Sequence, residues 1–361
     1  MTLAPLTPDL STSLVDVRGL VKEFRLPRVA LRSGRPSVKA VDGIEFGIGE
    51  SETYGLVGES GSGKSTVARL LVGLTTPTAG QIQVRGQDIT RLRGSTLRVH
   101  RRNVQMVFQD PYSSFDPTAT LADSIAEPLR THTSMSKQAQ VARVSELLGL
   151  VGLDPGYRDR FPNQLSGGQL QRAAIARALA VEPRLIVLDE PVSALDVSTQ
   201  AQVINLLEDL QKKLSISYLF IAHDLSVVEH VSDRIGVMYL GQLVESGPTE
   251  AIYERPAHPY TSGLLDSIPV PDPHAQRERR ALKIRGDVPP MALRPSGCSF
   301  RTRCPFAMDV CADEEPQPFV TTEAVTVRCH LHFHGPRLLG RSVRTLLSPP
   351  TVGAPDVVSA E

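Results

Sequence analysis

The sequence predicts an α/β fold, a largely parallel sheet flanked by helices, with a smaller cysteine-bearing module behind it. A glycine-rich turn, Gly58-Glu59-Ser60-Gly61-Ser62-Gly63-Lys64-Ser65, joins the strand-like Thr53-Tyr54-Gly55-Leu56-Val57 to an apolar helix beginning near Thr66. The apolar runs 185–188 and 218–222 lack alternation, as strands buried on both faces do. They end in polar residues, Asp189-Glu190 and His223. Strand, glycine turn, helix and further strands ending in polar groups describe an α/β sheet of the nucleotide-binding kind.

Taken in order, Leu14-Val15-Asp16-Val17 and Gln81-Ile82-Gln83-Val84 alternate as half-exposed strands do. Val104-Gln105-Met106-Val107-Phe108 is a further strand, ending at Gln109. Val141, Val144, Leu148 and Val151 recur at helical spacing, and so does the stretch from Gln169 to Leu179. From Gly247 onward proline is frequent and the periodicity weakens, which places a boundary near residue 265. The expected division is a nucleotide-binding domain over 14–265, a four-cysteine module over 266–335 and a disordered tail over 336–361, poorest in core formers beyond Pro349.

A chain of 361 residues allows one large or two modest domains with a sizeable core. Its 39 basic and 39 acidic side chains cancel, so no global field points to nucleic acid or an acidic membrane. The N-terminus lacks the pattern of a signal peptide, and no segment approaches the roughly 20 apolar residues of a spanning helix. A membrane role is therefore expected to be peripheral.

The turn at 58–65 fits G-x-x-x-x-G-K-[ST] in the strand-to-helix setting that motif requires. Its glycines let backbone N–H groups close around phosphates, and the helix N-terminus adds its dipole. Lys64 is expected to reach the β- and γ-phosphates of ATP and the Ser65 hydroxyl to ligate Mg²⁺. Asp189 fits a partner of that ion, direct or through a bound water, and Glu190 a general base on the attacking water. Gln109 is placed to sense Mg²⁺ and the γ-phosphate, His223 to contact the γ-phosphate and hold the water. Ser166-Gly167-Gly168, before the helix at 169–179, makes a second anion-binding helix start without a lysine. Two chains facing head to tail would let each cap the other's γ-phosphate, so that ATP closes the pair and hydrolysis releases it.

With Leu165-Ser166-Gly167-Gly168-Gln169 between the glycine turn and the acidic pair, residues 14–260 resemble an ATP-binding cassette (ABC) ATPase of the P-loop NTPase fold. The resemblance implies a mixed sheet core, an antiparallel β subdomain and a helical subdomain. It implies a Walker A loop whose ATP contacts run over Gly58, Glu59, Ser60, Gly61, Ser62, Gly63, Lys64, Ser65 and Thr66, and a Q-loop at Gln109. It also implies a signature at Ser166, Gly167, Gly168 and Gln169 serving the partner's ATP, Walker B ending at Asp189 with catalytic Glu190, a D-loop at Asp196 and a switch histidine at His223. Phe24 matches the aromatic that stacks on adenine. Ser51, where similar sequences usually carry glycine, and the insert over 25–37 depart from the pattern without touching the catalytic set.

Phe108-Gln109-Asp110-Pro111-Tyr112-Ser113-Ser114-Phe115-Asp116-Pro117, His258-Pro259-Tyr260-Thr261 and Ile268-Pro269-Val270-Pro271 resemble the ATPases of oligopeptide and dipeptide importers, the second of the two types such systems encode. That resemblance covers nearly all of 14–332. It implies ATP-driven import at the cytoplasmic face of the membrane, with a second cassette ATPase forming a homo- or heterodimer. Two membrane-spanning permeases, docked beside the Q-loop and the helical segment 120–163, and an extracytoplasmic solute-binding protein are also implied. Similar ATPases also serve importers of nickel chelates, glutathione and antibiotics. A soluble ABC ATPase working on nucleic acid or ribosomes usually carries two cassettes or long coiled-coil arms, which this chain lacks.

Cys298, Cys304, Cys311 and Cys329, with 5, 6 and 17 intervening residues, do not pair as a zinc ribbon does. Arg301 and Arg303 make the surroundings of Cys304 electropositive, which is expected to favour a thiolate. Four thiolates suit a [4Fe–4S] cluster or Zn²⁺, and the resemblance to the cysteine module of peptide-importer ATPases implies the cluster. His330, His332 and His334 alternate as along one face of a strand, and Arg277, Arg279 and Arg280 form a solvated run without assigned function.

Overall fold

The computed structural model describes residues 13–25, 37–268 and 282–347. The insert at 26–36, the arginines 277, 279 and 280, and the terminal 348–361 lie outside the described residues. The chain forms two compact units, Met1–Leu243 with Pro290–Arg294, and Val244–Pro289 with Pro295–Glu361.

In the first unit the strands are β1 (Ser13–Arg25), β2 (Ser37–Gly49), β3 (Thr53–Val57), β4 (Ala79–Val84), β5 (Gln87–Asp88), β6 (Val104–Val107), β7 (Leu185–Asp189), β8 (Ser217–Ala222) and β9 (Arg234–Tyr239). An antiparallel sheet runs β2-β1-β4-β5, and a parallel array runs β9-β3-β8-β7-β6. β3, β7 and β8 are buried at every position, as their unbroken apolar runs require. The expected alternation holds in β4, where Ile82 and Val84 are buried between less buried glutamines. It fails in β1. Leu14, Val15, Asp16 and Val17 are all buried, and Leu14, Val15 and Val17 enter a core shared with Leu56, Val67, Leu71 and Leu185. Asp16 stands there with Arg18 at 2.6 Å.

The helices of this unit are α1 (Lys64–Leu71), α2 (Gly94–Asn103), α3 (Leu121–His132), α4 (Lys137–Leu150), α5 (Gly167–Leu179), α6 (Val197–Leu214) and α7 (Leu225–Val231). Helices α3, α4 and α5 form a helical segment, with Thr120 and Ser136 accepting hydrogen bonds as N-caps of the first two. Val144, Leu148 and Val151 face inward as their spacing predicts, whereas Val141 is exposed, one turn too near the helix start to reach the core. Ser51 takes φ 57°, the left-handed backbone that glycine adopts without steric cost.

The second unit is built on β10 (Gln242–Pro248), β11 (Pro318–Val320) and β12 (Thr326–Arg328), antiparallel in the order β11-β12-β10, with α8 (Thr249–Glu254) and α9 (Pro259–Asp266). The division between units falls inside β10. Two expectations are corrected here. His330 and His332 lie on a 3-10 helix, not a strand, each bonded to a different carbonyl, Glu314 at 2.9 Å and Ala257 at 3.0 Å. Residues 336–347, expected to open a disordered tail, are ordered: Leu338 and Val343 are buried with Val327 and Leu331, and Arg344 pairs with Asp266 at 3.1 Å.

Candidate active site

The turn between β3 and α1 is glycine-rich because its backbone allows nothing else. Gly58, Gly61 and Gly63 take φ of 148°, 77° and 110°. A Cβ on Gly58 would collide with the carbonyl of Met238, and one on Gly63 with the carbonyl of Ala40. The loop is thus pressed between β9 and β2. Gly63 caps α1 without a side-chain hydrogen bond, and no acidic residue occupies the helix's first turn. The helix start therefore offers its dipole and N–H groups to an anion.

Lys64 is buried and lies across the loop, donating from Nζ to the carbonyls of Gly58 at 2.6 Å and Glu59 at 3.0 Å. Burial lowers its pKa, and the nearby Glu190, Asp189 and Glu59 oppose that shift. Ser65 Oγ donates to Asp189 Oδ1 at 3.1 Å. Burial raises the Asp189 carboxyl against the pull of that hydrogen bond. A hydroxyl and a carboxylate side by side next to a phosphate loop are hard oxygen donors that suit Mg²⁺.

Glu190 follows directly, at the end of β7, with φ 49°. A non-glycine residue held in the left-handed region costs of order 1–3 kcal/mol and persists only where its surroundings impose it. Here the backbone N–H is fixed to the Ile221 carbonyl at 3.0 Å. The turn aims the side chain at two others: Gln109 Nε2 donates to Glu190 Oε2 at 2.9 Å, and His223 Nδ1 lies 3.3 Å from the same oxygen. Gln109, Glu190 and His223 follow the neighbouring strands β6, β7 and β8, so sheet order alone gathers residues separated by 81 and 33 positions.

Ser166 is the N-cap of α5, where a capping box commits its oxygen: it accepts from Gln169 N at 3.3 Å, while Gln169 Oε1 accepts from Ser166 N at 3.0 Å. Its O–H still has a proton to donate. A polar cavity of about 290 Å³ adjoins Ser166 and Gly168, with Arg172 and Gln202 in its wall. Asp196 caps α6 by accepting from Thr199 N at 3.0 Å, and hydrogen bonds from Ser198 and Thr199 hold its carboxyl below the usual range. Phe24, at the end of β1, is 43 % exposed with Lys22 Nζ over its ring, 5.0 Å from the centre, a surface aromatic and not a core residue.

Sequence inspection missed an ion pair between Asp42 on β2 and Arg294, at 2.6 Å. Its partners are 252 positions apart and carry no local motif that would have found them.

The four cysteines lie within electrostatic reach of one another in the second unit. Among the described residues, no group of three or more His, Cys, Asp or Glu side chains stands arranged to hold a metal ion. The expectation of a thiolate at Cys304 is corrected: burial pushes its thiol up to about 12, outweighing a basic neighbour that proves to be Arg285. Burial likewise raises Cys298 to about 11 and Cys329 well above the ordinary thiol range.

Comparison with known proteins meets this geometry. The family model described as ABC transporter matches residues 41–193, and that described as the C-terminal region of oligopeptide/dipeptide transporters matches 244–311. The oligopeptide transport ATP-binding protein AppF of Bacillus subtilis (strain 168) is 46% identical over 321 residues, covering 89% of this chain and 98% of its own. OppF of Salmonella typhimurium, another oligopeptide transport ATP-binding protein, is 49% identical over 281 residues, 78% of this chain and 84% of its own. Among solved structures, the dimeric ATP-binding cassette MJ0796 in a post-hydrolysis state with ADP and Pi matches with a TM-score of 0.59 and 29% identity, over 65% of this chain and 98% of that one. Among the described residues no helix is long and apolar enough to cross a membrane. With Ser65 on Asp189, and Gln109 and His223 on Glu190, in an ABC ATPase fold, this chain belongs to the ATP-binding subunits of oligopeptide ABC importers and is their ATPase.

Proposed function

We propose that Glu190 is the general base of ATP hydrolysis, and the observation that carries this is the convergence of Gln109 and His223 on its Oε2. Neither of them uses Oε1, which is then placed to take a proton from water as the water attacks the γ-phosphorus and the bond to the β–γ bridging oxygen breaks. Residues 58–66 bind the phosphates through backbone N–H groups, with Lys64 on the β- and γ-oxygens. Ser65 and Asp189 hold Mg²⁺, which supplies charge neutralisation on the phosphates when bound. Phe24 stacks on adenine. Replacing Glu190 by Gln and measuring turnover in the assembled transporter tests the assignment.

The functional division follows the sequence, an ATP-binding domain over 14–265 and a C-terminal module from 266. The chain works as a homo- or heterodimer with a second cassette, Ser166, Gly167, Gly168 and Gln169 capping the partner's ATP and Asp196 lining the shared face. The dimeric form of MJ0796 supports that arrangement. Two permeases and an extracytoplasmic solute-binding protein complete the importer at the cytoplasmic face of the membrane. Isolation from gently solubilised membranes under anaerobic conditions tests these partners: two co-purifying permeases support them, and recovery with ribosomes or DNA overturns them. The same sample tests a [4Fe–4S] cluster, with Zn²⁺ as the alternative, on Cys298, Cys304, Cys311 and Cys329. Iron with acid-labile sulfide supports the cluster, zinc replaces it, and neither leaves four free thiols.

A further inference from the structure

The segment Pro290–Arg294 belongs to the ATP-binding unit, although the chain on both sides of it belongs to the other. Its 3-10 turn, Met291–Leu293, packs on β2, and Arg294 Nη1 donates to Asp42 Oδ2 at 2.6 Å. Both side chains are largely shielded, 15% and 16% exposed, so water weakens this pair less than it would a surface pair. Burial alone would raise the Asp42 carboxyl, yet hydrogen bonds from Lys39 and Arg294 hold it below its ordinary value.

From Asp42 a short run of backbone contacts leads to the phosphate loop. The Asp42 N–H donates to the Gly241 carbonyl at 2.8 Å, and the Gly241 N–H donates to the Ser62 carbonyl at 2.9 Å. Beside this run, the Ala40 carbonyl presses on Gly63 so closely that no Cβ would fit. Gly241 itself takes φ 85°, and a Cβ there would crowd the carbonyls of Lys39 and Ala40. The position of β2 over residues 40–42 therefore sets the wall against which Ser62 and Gly63 are held.

We propose that Arg294 is a positioning residue for the phosphate loop: by holding Asp42 it holds β2 against Ser62 and Gly63, so a segment from the C-terminal part of the chain tunes ATP affinity. The proposal rests on 58–65 being the ATP loop, and its test separates the two.

The test is equilibrium binding of AMP-PNP with Mg²⁺ to the full chain. Arg294→Met and Asp42→Asn are each expected to weaken binding about fivefold. The double variant is expected to be no weaker than either single one, because both remove the same contact. Arg294→Lys is expected to recover most of the loss. Binding within about twofold of wild type in both single variants, or losses that multiply in the double, overturns the proposal. So does a lowered unfolding temperature with unchanged affinity, the mark of a merely structural pair. Should Arg294→Met not fold, Asp42→Asn decides alone. Lys64→Ala is the control: its loss of binding beside an unaffected Arg294→Met removes only the role of Arg294, whereas retained binding removes the ATP loop assignment itself.

Discussion

His223 Nδ1 lies 3.3 Å from Glu190 Oε2, the oxygen that already accepts a hydrogen bond from Gln109. One carboxylate oxygen thus collects both neighbours, and the orientation of the other follows from them. His223 is 57% exposed and Glu190 17%, so the histidine stands on the open side of the carboxylate, where a phosphate and its attacking water would arrive.

Removing the imidazole leaves the phosphate loop intact but loosens the carboxylate. His223→Ala is expected to keep ATP affinity within about twofold and to lower turnover about a hundredfold, the scale of positioned acid–base groups. Nucleotide titration beside a phosphate-release assay checks this; a matching loss of affinity would place His223 in binding instead.

The glycines of the loop are not equivalent. Gly63 combines φ 110° with the Ala40 carbonyl and the Met238 side chain in the place of a Cβ, whereas Gly61 has φ 77° and open space. Gly61→Ala is expected to cost about 1 kcal/mol, backbone strain alone. Gly63→Ala is expected to cost at least twice that and to abolish ATP binding, since the loop must move off β2. Thermal unfolding with and without nucleotide ranks the two, and equal behaviour would discount the packing against Ala40.

Ser166→Ala removes an N-cap, which costs about 1 kcal/mol. If the hydroxyl also serves the partner's phosphate, turnover falls far more than stability while ATP binding to the chain's own loop is unchanged. Denaturant unfolding together with turnover in the assembled transporter distinguishes the roles. A small loss in both would leave Ser166 a cap and nothing more.

Glu245 and His258 give the second unit opposing pH dependences. Glu245 accepts from the backbone N–H groups of Ala257 at 2.7 Å and His258 at 3.0 Å, yet burial pushes its carboxyl up from 4.5 to about 7. Burial, with His332 adding to it, pulls His258 from 6.5 down to about 3. Between 4.5 and about 7 the raised carboxyl makes the folded state bind more protons than the unfolded one, so its contribution falls as pH rises; between about 3 and 6.5 the lowered histidine does the reverse. Between 4.5 and 6.5 the two slopes largely cancel. In Glu245→Gln the histidine slope stands uncovered, and stability is expected to fall by up to roughly 1.4 kcal/mol per pH unit on acidification through that window. His258→Gln is expected to gain stability over the same change. Urea unfolding across the window reads both, and curves parallel to wild type would dismiss the opposition.

The nucleotide machinery was legible because its chemistry constrains short stretches of chain. A phosphate loop needs glycines at fixed offsets before a lysine and a hydroxyl, and strands buried on both faces announce themselves as unbroken apolar runs such as 185–188. What escaped depends on contacts between distant segments. Asp16 is buried between Val15 and Val17, which its own alternation does not disclose. Cys304 was expected to ionise from its flanking arginines, but desolvation dominates and the arginine that acts on it is Arg285. Alternating histidines at 330–334 mimic a strand although the backbone coils into a 3-10 turn. The ion pair of Arg294 with Asp42 has no pattern at all, since neither residue's neighbours mark it.

Glu190→Gln tests the role of the carboxylate most directly, because the amide keeps the shape of the side chain and its contacts with Gln109 while it can no longer take a proton. ATP turnover and oligomeric state would be measured together in the assembled transporter. Turnover reduced at least about a thousandfold, with ATP retained in a persistent dimer, is the expected result. Turnover near that of the wild type would contradict Glu190 as the base and return the question to His223.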